Sequence, residues 1–376
     1  MRNKPLFTGM PGGIDQIEGI DVKNLLGRSG LNTGNFLFVN ALRKILGKPN
    51  DIYKPINYFN DNLDNYDYIA IAAANWVNPD ANLAYLADFL ETTKLPCVVV
   101  GLGGQVPFGG KLPKLQEGTE RFLKIVSERS HSISVRGQHT QDILEQYGIH
   151  NTWVTGCPSI LGDGLGIRPI NNNKAISDIK KVVIQGTRHS YSESIFKKTK
   201  INDINLQIYR LALEKEMPLL LQSEVADIYI TMEENCDYDL NQKNMIFLKQ
   251  VYQKDESTII NFLKNNALLY WNLTDWFEDL SHYDFLIGTR IHGVMSALLS
   301  GVPAVLLTHD ERTKELAEVM NIPYQDIREL ESFDENVIFD IIKNTNFEKF
   351  NNGRDQYTQN FKDFFNENNI KTIIKN

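Results

Sequence analysis

The chain has 376 residues, more than one ordinary hydrophobic core serves, so two domains are expected. Its hydrophobic content of 42% and charged content of 23% are typical of a soluble globular protein, and no apolar run reaches the roughly 18 residues that a membrane-spanning helix needs. The net charge of −8 argues against non-specific nucleic-acid binding, which requires a basic surface.

Two further features of the composition predict the compartment. The three cysteines, Cys97, Cys157 and Cys236, are scattered without metal-ligand spacing, which indicates reduced thiols in the cytoplasm. The N-terminal sequence MRNKPLFTGMPGG has no apolar stretch long enough for a signal peptide. Neither a metal site nor a cofactor is predicted.

The first elements surround a glycine turn. Residues 1–30 are glycine-rich and predict a loop with a weak strand over residues 19–26. A helical pattern covers residues 36–46, and the turn of Asn32, Thr33, Gly34 and Asn35 precedes it. Either the backbone N–H groups of this turn face a ligand, or Asn35 only caps the helix.

Strands and helices then alternate. Strands are predicted at residues 68–73, 96–100, 132–135 and around 154, with helices near 83–90, 117–129 and 140–147. This order predicts a doubly wound parallel domain, followed by an Asn- and Pro-containing linker at residues 167–178. The strand ends carry Asn75, Gly103 and Arg136. Arg136 either faces a ligand cleft or ties strand ends together as a structural residue.

The second half repeats the alternation. A buried strand at residues 182–184 leads to Arg188, a helix covers 203–215, and a strand covers 218–221. Residues 233–245 are acidic and Asn-rich and predict a solvated face or a loop, and a helix covers 257–265. The next strand leads into a helix that Thr274 or Asp275 opens. The aromatic residues there either stack on a sugar or pack in the core: Trp271, Trp276 and Phe277.

Residues 284–307, DFLIGTRIHGVMSALLSGVPAVLL, read as strand, turn, helix, turn and strand. Arg290 and His292 fall where a buried parallel strand meets a helix N-terminus, the edge at which open α/β sheets bind ligands. Unpaired N–H groups and a guanidinium favour an anion there, and an imidazole exchanges protons near neutral pH. The alternative is a surface arginine and a polar helix stripe. His309 and Arg312 follow the next strand, and a last amphipathic helix covers residues 347–370.

The stretch GTRIHGVMSALLSGVPAVLL resembles the C-terminal signature of the polysaccharide pyruvyl transferase family. Other segments look familial too, and together they run from residue 32 to residue 323: NTGNFLF, VVVGLGGQ, SVRGQHT, VTGCPS and THDERTKELAEVMNIP. The Arg-x-His stretch is the most specific of these, because the glycine turns are shared by many nucleotide-binding folds.

The resemblance implies an α/β fold with two Rossmann-like doubly wound domains facing across a cleft, the GT-B type of arrangement. Residues 1–170 would form the acceptor side, residues 179–346 the donor side, and residues 347–376 a helix at the junction. The implied activity moves a pyruvyl group from phosphoenolpyruvate to a sugar of a cell-surface polysaccharide or its lipid-linked precursor, forming a ketal. Such an acceptor would bring the protein to the inner face of the membrane.

Site roles follow from the same resemblance. His292 is the expected acid, and Arg290 and Arg188 are expected to hold the donor, although Arg188 could equally be a surface residue beside a loop. Asp80 is a candidate base, but the family's glycine run is replaced here by Ala72 to Asn75, so Asp80 could also be a helix cap. The remaining expected substrate contacts are Asn32, Gly34, Asn35, Asn75, Gly103, Arg136, His309 and Arg312.

Two other functions remain open from sequence. A glycosyltransferase on the same scaffold would use its arginines to grip the diphosphate of a nucleotide sugar, and fold alone does not separate the two activities. A non-catalytic glycan-binding or assembly protein is the other alternative, and the altered glycine run favours it.

Overall fold

The computed structural model of the chain describes residues 1–47, 63–105, 114–162, 168–171, 174, 176–188, 193–232 and 238–374. Cys236 and most of the loop predicted after residue 105 lie outside these ranges, as does part of the predicted linker. Within them, no helix combines the length and apolar character needed to cross a bilayer.

The first half is built on parallel strands. Strands β1 (Pro5–Thr8), β2 (Tyr68–Ala72) and β3 (Cys97–Val100) form one parallel sheet in that order. Strands β4 (Ile133–Val135) and β5 (Thr152–Val154) pair in parallel beside it, and a bridge between Leu102 and Val135 connects the two groups. Because the strands are parallel, their carboxyl ends lie along one edge.

Helices connect these strands as the alternation predicted. The bounds are α1 (Val22–Arg28), α2 (Asn35–Ile45), α3 (Ala84–Glu91), α4 (Glu117–Arg129) and α5 (Gln138–Gln146). The weak strand predicted over residues 19–26 is wrong, since α1 occupies most of it. The Asp21 side chain caps α1 by accepting from the Asn24 amide, and the helix buries an apolar face. The first strand instead lies earlier, at β1.

The second half contains a six-stranded parallel sheet in the order β11-β10-β9-β6-β7-β8. Its central strands are fully buried, which explains why they lack polar alternation in the sequence. The bounds are β6 (Val182–Gln185), β7 (Leu219–Leu220), β8 (Ala267–Leu268), β9 (Phe285–Gly288), β10 (Ala304–Thr308) and β11 (Tyr324–Asp326). The α/β class with parallel sheets is confirmed.

Helices follow the strands of this half along the chain. They are α6 (Lys200–Glu214), α7 (Val225–Thr231), α8 (Tyr238–Tyr252), α9 (Glu256–Asn266), α10 (Leu273–Leu280), α11 (Ile291–Leu299), α12 (Glu311–Val319) and α13 (Glu335–Asn344).

Three predictions in this half need correction or are confirmed. Of the two alternatives for residues 233–245, the loop is wrong from Tyr238 onward, where α8 begins and packs against α7, while Gln242 and Lys243 lie on an exposed face of that helix. Helix α10 is opened by Asn272, whose side chain accepts from the Asp275 amide, and not by Thr274 or Asp275. Core packing of the aromatics is confirmed, because Trp276 is fully buried and stacks on Tyr270.

The last helix, α14 (Glu348–Glu367), has contacts in both halves of the chain. Trp153 Nε1 donates to Asn360 Oδ1 at 2.7 Å, and the Asn351 amide exchanges hydrogen bonds with the backbone of Ile170. Gly353 of this helix packs against the Asn321 side chain of the second half, since a Cβ there would lie 2.7 Å from Asn321 Nδ2. The amphipathic helix is therefore confirmed, while the three predicted domain boundaries stay a prediction.

Candidate functional site

A cavity of about 330 Å³ lies at the carboxyl ends of strands from both halves of the chain. Its lining comes from the segments that follow β2, β3, β4, β6, β7, β9 and β10, together with the turn before α2. Open α/β sheets bind ligands at this edge. The lining residues include Gly30, Leu31, Asn32, Asn35, Ala74, Asn75, Gln105, Arg136, Thr187, Gln222, Ser223, Thr289, Arg290, Ile291, His292, His309 and Arg312.

Helix α11 points its N-terminus at this cavity. Arg290 is its N-cap residue, with an extended backbone and no side-chain cap bond. The amides of Gly293 and Val294 both donate to the Arg290 carbonyl. Ile291 and His292, which lie between Arg290 and Gly293 in the chain, line the cavity. The first amides of a helix lack intrahelical acceptors and carry the positive end of the helix dipole, so this end favours an anion.

The Arg290 guanidinium is held in place by a buried carboxylate, Glu224. Nη2 of Arg290 lies 3.0 Å from Glu224 Oε1 and 3.1 Å from the carbonyl oxygen of Arg188. Burial would raise the pKa of Glu224, but the charges of Arg290 and Arg188 and two backbone amides hold that pKa below its usual value. Arg290 remains 12% exposed on the cavity side. The pair therefore orients a guanidinium whose free edge is available to a ligand.

Arg188 is not among the described residues that line the cavity, which corrects the expectation that it would face Arg290 there. Its side chain is buried, forms an ion pair with Asp227 of α7, and lies 4.4 Å from the ring centroid of Tyr209. The physical reason is the buried Asp227, which would otherwise be an unpaired charge in the core. The surface alternative is wrong as well.

His292 lies in the cavity wall and is buried. Its Nε2 is 3.5 Å from the Cys157 Sγ, and its ring centroid is 5.4 Å from that of Phe38. Burial, with the positive charges of Arg136 and Arg290, lowers the pKa of His292 to about 3. The imidazole is therefore neutral at neutral pH. A bound anion would raise this pKa by opposing both charges.

Arg136 combines both of the roles considered for it. Its Nε donates to the Gly101 carbonyl at 2.8 Å and its Nη1 to Asn75 Oδ1 at 3.1 Å, so it ties strand ends together. It also lines the cavity. Gly103 packs directly against this pair, because a Cβ there would lie 2.6 Å from Asn75 Oδ1. Gly103 thus supports the wall without lining it.

The turn before α2 brings Asn32 and Asn35 to the cavity lining, whereas Gly34 is not a lining residue and packs against His292. Asn32 Oδ1 accepts from the Gly34 amide at 2.9 Å, and Asn35 Nδ2 donates to the Ser29 carbonyl at 3.0 Å. Gly34, not Asn35, is the N-cap residue, so the capping role considered for Asn35 is wrong. A Cβ at Gly34 would come within 2.9 Å of the His292 Cβ, so only glycine allows this close approach.

The segment after β10 adds a third arginine to the cavity lining. Arg312 Nη2 lies 3.0 Å from Asp310 Oδ2, and His309 Nε2 lies 3.7 Å from the same oxygen. Asp310 caps α12 and forms a capping box with Thr313. His309 and Arg312 both line the cavity, so the structure brings them to the site as expected.

Asp80 lies outside the cavity lining and is exposed to solvent. Its amide donates to Asn78 Oδ1 at 2.9 Å within a turn, and Leu83 is the N-cap residue of α3. The helix-cap alternative is therefore wrong. The geometry gives no support to the candidate base either, since the side chain does not reach the groups gathered around His292.

Sequence reasoning missed several residues that complete the site. Glu224 and Cys157 position Arg290 and His292 from below, and polar side chains fill out the lining. Most of them share one signal, because they follow predicted strands at the ligand-binding edge. These residues are Gln105, Cys157, Thr187, Gln222, Ser223, Glu224 and Thr289.

Comparison with solved structures finds distant likeness. The chain is similar to Anabaena Alr3699/HepE in complex with UDP and glucose, with a TM-score of 0.43, 14% identity and 97% of each chain covered. It is also similar to S. aureus MnaA in a UDP co-structure, with a TM-score of 0.40, 10% identity, and 90% of this chain and 87% of that one covered. UDP-N-acetylglucosamine 2-epimerase from Rickettsia bellii gives a TM-score of 0.38 at 12% identity, covering 81% and 73%.

Comparison with protein families is more informative. No curated protein matches the chain. The sequence profile of polysaccharide pyruvyl transferase matches residues 32–311, which is most of the chain. The match includes most of the residues that line the cavity, and the lining residues outside it are Gly30, Leu31, Arg312, Thr313 and Leu316. This chain therefore belongs to the polysaccharide pyruvyl transferase family and is a transferase.

Proposed function

We propose that the protein transfers the pyruvyl group of phosphoenolpyruvate to a sugar of a cell-surface polysaccharide or its lipid-linked precursor, forming a ketal. The observation that carries this proposal is the Arg290–Glu224 pair at the N-terminus of α11, with His292 beside it. Phosphoenolpyruvate has a phosphate and a carboxylate, and a helix N-terminus next to an oriented guanidinium suits such an anion.

The reaction needs a proton donor and an anion site. A proton is added to the terminal carbon of the enol, which gives the neighbouring carbon cationic character. One sugar hydroxyl adds there, phosphate leaves, and a second hydroxyl closes the ketal. Of the two hydroxyl protons released, one balances the proton added to carbon and the other leaves with phosphate.

Donor binding and acid catalysis are coupled at His292. Because the pKa of His292 is about 3, its imidazole is neutral and a poor proton donor until a charge of opposite sign arrives. A phosphoenolpyruvate held by Arg290 would offset the two neighbouring guanidinium groups and raise this pKa. The acid would then form only when the donor is bound, which protects the site from futile protonation.

Arg136 and Arg312, and not Arg188, are the arginines that would hold the donor together with Arg290. Both line the cavity, and the pKa of Arg136 is lowered by burial and by the charge of Arg312. A phosphate between them would relieve that repulsion. Among the described lining residues there is no carboxylate, so His292 and the leaving phosphate are the groups that would accept the hydroxyl protons.

The test is turnover. Purified protein with phosphoenolpyruvate and candidate glycans should release phosphate and add the mass of a pyruvyl group to the sugar. Phosphoenolpyruvate should also bind in the cavity, and UDP-sugars should displace it poorly, if at all. A protein that binds UDP-sugars but does not bind phosphoenolpyruvate would instead support a glycosyltransferase. Glycan binding without turnover would support a non-catalytic glycan-binding protein.

A further inference from the structure

The cavity lining contains a set of side-chain amides in addition to its cations. Arginines and histidines serve an anion, but neutral amides suit groups that both donate and accept hydrogen bonds. The members of this set are Asn32, Asn35, Asn75, Gln105 and Gln222.

Gln222 differs from several of these amides in having no partner for its side chain. Asn32, Asn35 and Asn75 each use a side-chain atom in a hydrogen bond within the chain. Gln222 is completely buried, and neither Nε2 nor Oε1 has a hydrogen-bond partner among the described residues. Buried amides are normally paired, so an unpaired one that lines a cavity points to a missing ligand group.

The backbone of Gln222 is fixed even though its amide is not. Its N–H donates to Glu224 Oε2 at 2.9 Å, and its carbonyl accepts from the Thr33 amide at 3.1 Å. A Cβ on Gly34 would lie 2.8 Å from Nε2 and 2.9 Å from the His292 Cβ. The amide is therefore held at the junction of the two halves, next to the proposed acid.

We propose that Gln222 binds a hydroxyl of the acceptor sugar beside His292. A hydroxyl accepts from Nε2 and donates to Oε1, so it satisfies both unpaired atoms. A carboxylate or phosphate oxygen accepts only, and it would leave Oε1 facing a negative charge. The group that pairs with Gln222 is for this reason an uncharged hydroxyl, and not part of the donor.

This inference rests on the glycan acceptor of the proposed function but not on the identity of the donor. The substitution Gln222→Met keeps the side-chain volume and removes both polar atoms. Gln185→Met is the matched control, because Gln185 is also completely buried with both amide atoms unpaired among the described residues. Gln185 is the last residue of β6, packs against Gly288 of β9 and does not line the cavity.

The experiment measures three quantities for the wild type and both variants. Saturation-transfer NMR in the presence of phosphoenolpyruvate reports binding of methyl glycosides of hexoses and N-acetylhexosamines. Calorimetry reports the Kd of phosphoenolpyruvate alone, and thermal unfolding reports the Tm of the empty protein. We expect Gln222→Met to weaken glycoside binding about tenfold while Gln185→Met leaves it unchanged. Both variants should keep the donor Kd and have a Tm no lower than that of the wild type.

Three results would overturn the inference. The first is a Gln222→Met protein whose glycoside affinity equals that of the wild type. The second is a wild-type protein that binds no glycoside in the panel. A lower Tm for Gln222→Met alone would show that the amide has a structural partner. Failure of the wild type to bind phosphoenolpyruvate would count against the proposed donor instead, and the glycoside result would still decide the role of Gln222.

Discussion

The loops after β6 and β9, two neighbouring strands, each place an arginine at the same edge of the sheet, with opposite results. Arg290 keeps an exposed edge toward the cavity, whereas Arg188 is buried against Asp227 and under Tyr209. Both pair with a carboxylate from the segment after β7. The difference is depth: Glu224 lies next to the cavity and Asp227 one helical turn farther into the core.

The two arginines are nevertheless linked. The carbonyl oxygen of Arg188 accepts from Arg290 Nη2 at 3.1 Å. The backbone of the buried Arg188 therefore helps to hold the Arg290 guanidinium in place. One arginine therefore belongs to the fold and the other to the site. The variants below separate these two roles, beginning with the largest expected effect.

The largest effect should come from the imidazole next to Arg290. His292→Ala should lower the rate of pyruvyl transfer by about 10²–10⁴-fold, because a positioned acid contributes that much. The variant should still fold and bind phosphoenolpyruvate, as calorimetry and circular dichroism would check. His282→Ala, at an exposed histidine outside the cavity, is the control and should keep full activity. Full turnover in His292→Ala would remove His292 from the mechanism.

Arg188→Met should affect the fold and not the chemistry. Among the described residues it leaves Asp227 buried with Tyr252 as its remaining side-chain partner, so we expect a loss of about 3–5 kcal/mol in the free energy of unfolding. Denaturant titration would measure it. The double variant Arg188→Met/Asp227→Leu removes both charges and should recover most of that stability. A fully stable single variant would contradict the structural role.

Arg290→Met should show the reverse pattern. Charge-assisted hydrogen bonds to a bound anion are lost, so the Kd for phosphoenolpyruvate should rise about 10- to 100-fold. Some stability should also be lost because Glu224 loses its cation, although two backbone amides still donate to it. Calorimetric titration and denaturant unfolding separate the two effects. Unchanged affinity would exclude Arg290 from the donor site.

The buried imidazole should also make stability depend on pH. The unfolded chain has a histidine pKa near the ordinary 6.5, while the folded protein holds that of His292 at about 3. The unfolded state therefore binds a proton first, and stability should fall as pH decreases from about 6.5 toward 3. Denaturant unfolding of the wild type and His292→Gln across this range should give a steeper loss for the wild type. Parallel curves would contradict the depressed pKa.

The smallest effect should come from Cys157, which contacts His292 from within the core. Cys157→Ala removes the contact between Sγ and Nε2 and should lower kcat severalfold with little change in KM. The pH profile of kcat should shift, since one neighbour of the imidazole is gone, and Cys157→Ser should restore part of the profile. Cys97→Ala, at a buried cysteine on β3 outside the cavity, is the control. An unchanged profile in Cys157→Ala would exclude a positioning role.

What the sequence predicted well was local. The strand–turn–helix unit from β9 to β10 is continuous in the chain, and its glycine and proline signals mark its ends, so the positions of Arg290 and His292 followed directly. The fold class followed from the alternation of buried strands with helices. Long-range partners could not be predicted in this way. Arg188 is 39 residues from the carboxylate that buries it, and Arg290 is 66 residues from Glu224.

The first half was predicted less well for a related reason. Its strand β1 and helix α1 have short, weak patterns, and the Asp21 cap that begins α1 outweighs the apolar run. Asp80 was expected from the family resemblance, but it lies in an exposed turn in which the amides of Asp80 and Ala81 donate to Asn78 Oδ1. Side-chain direction at a loop depends on contacts that spacing alone does not contain.

The central claim is that the loop after β9 binds the donor and the loop after β6 only supports it. Titration of phosphoenolpyruvate into the wild type, Arg290→Met and Arg188→Met/Asp227→Leu tests this claim most directly. The account predicts one site per chain in the wild type, a Kd near the wild-type value in the double variant, and a Kd at least tenfold higher in Arg290→Met. Wild-type affinity in Arg290→Met together with lost affinity in the double variant would contradict it.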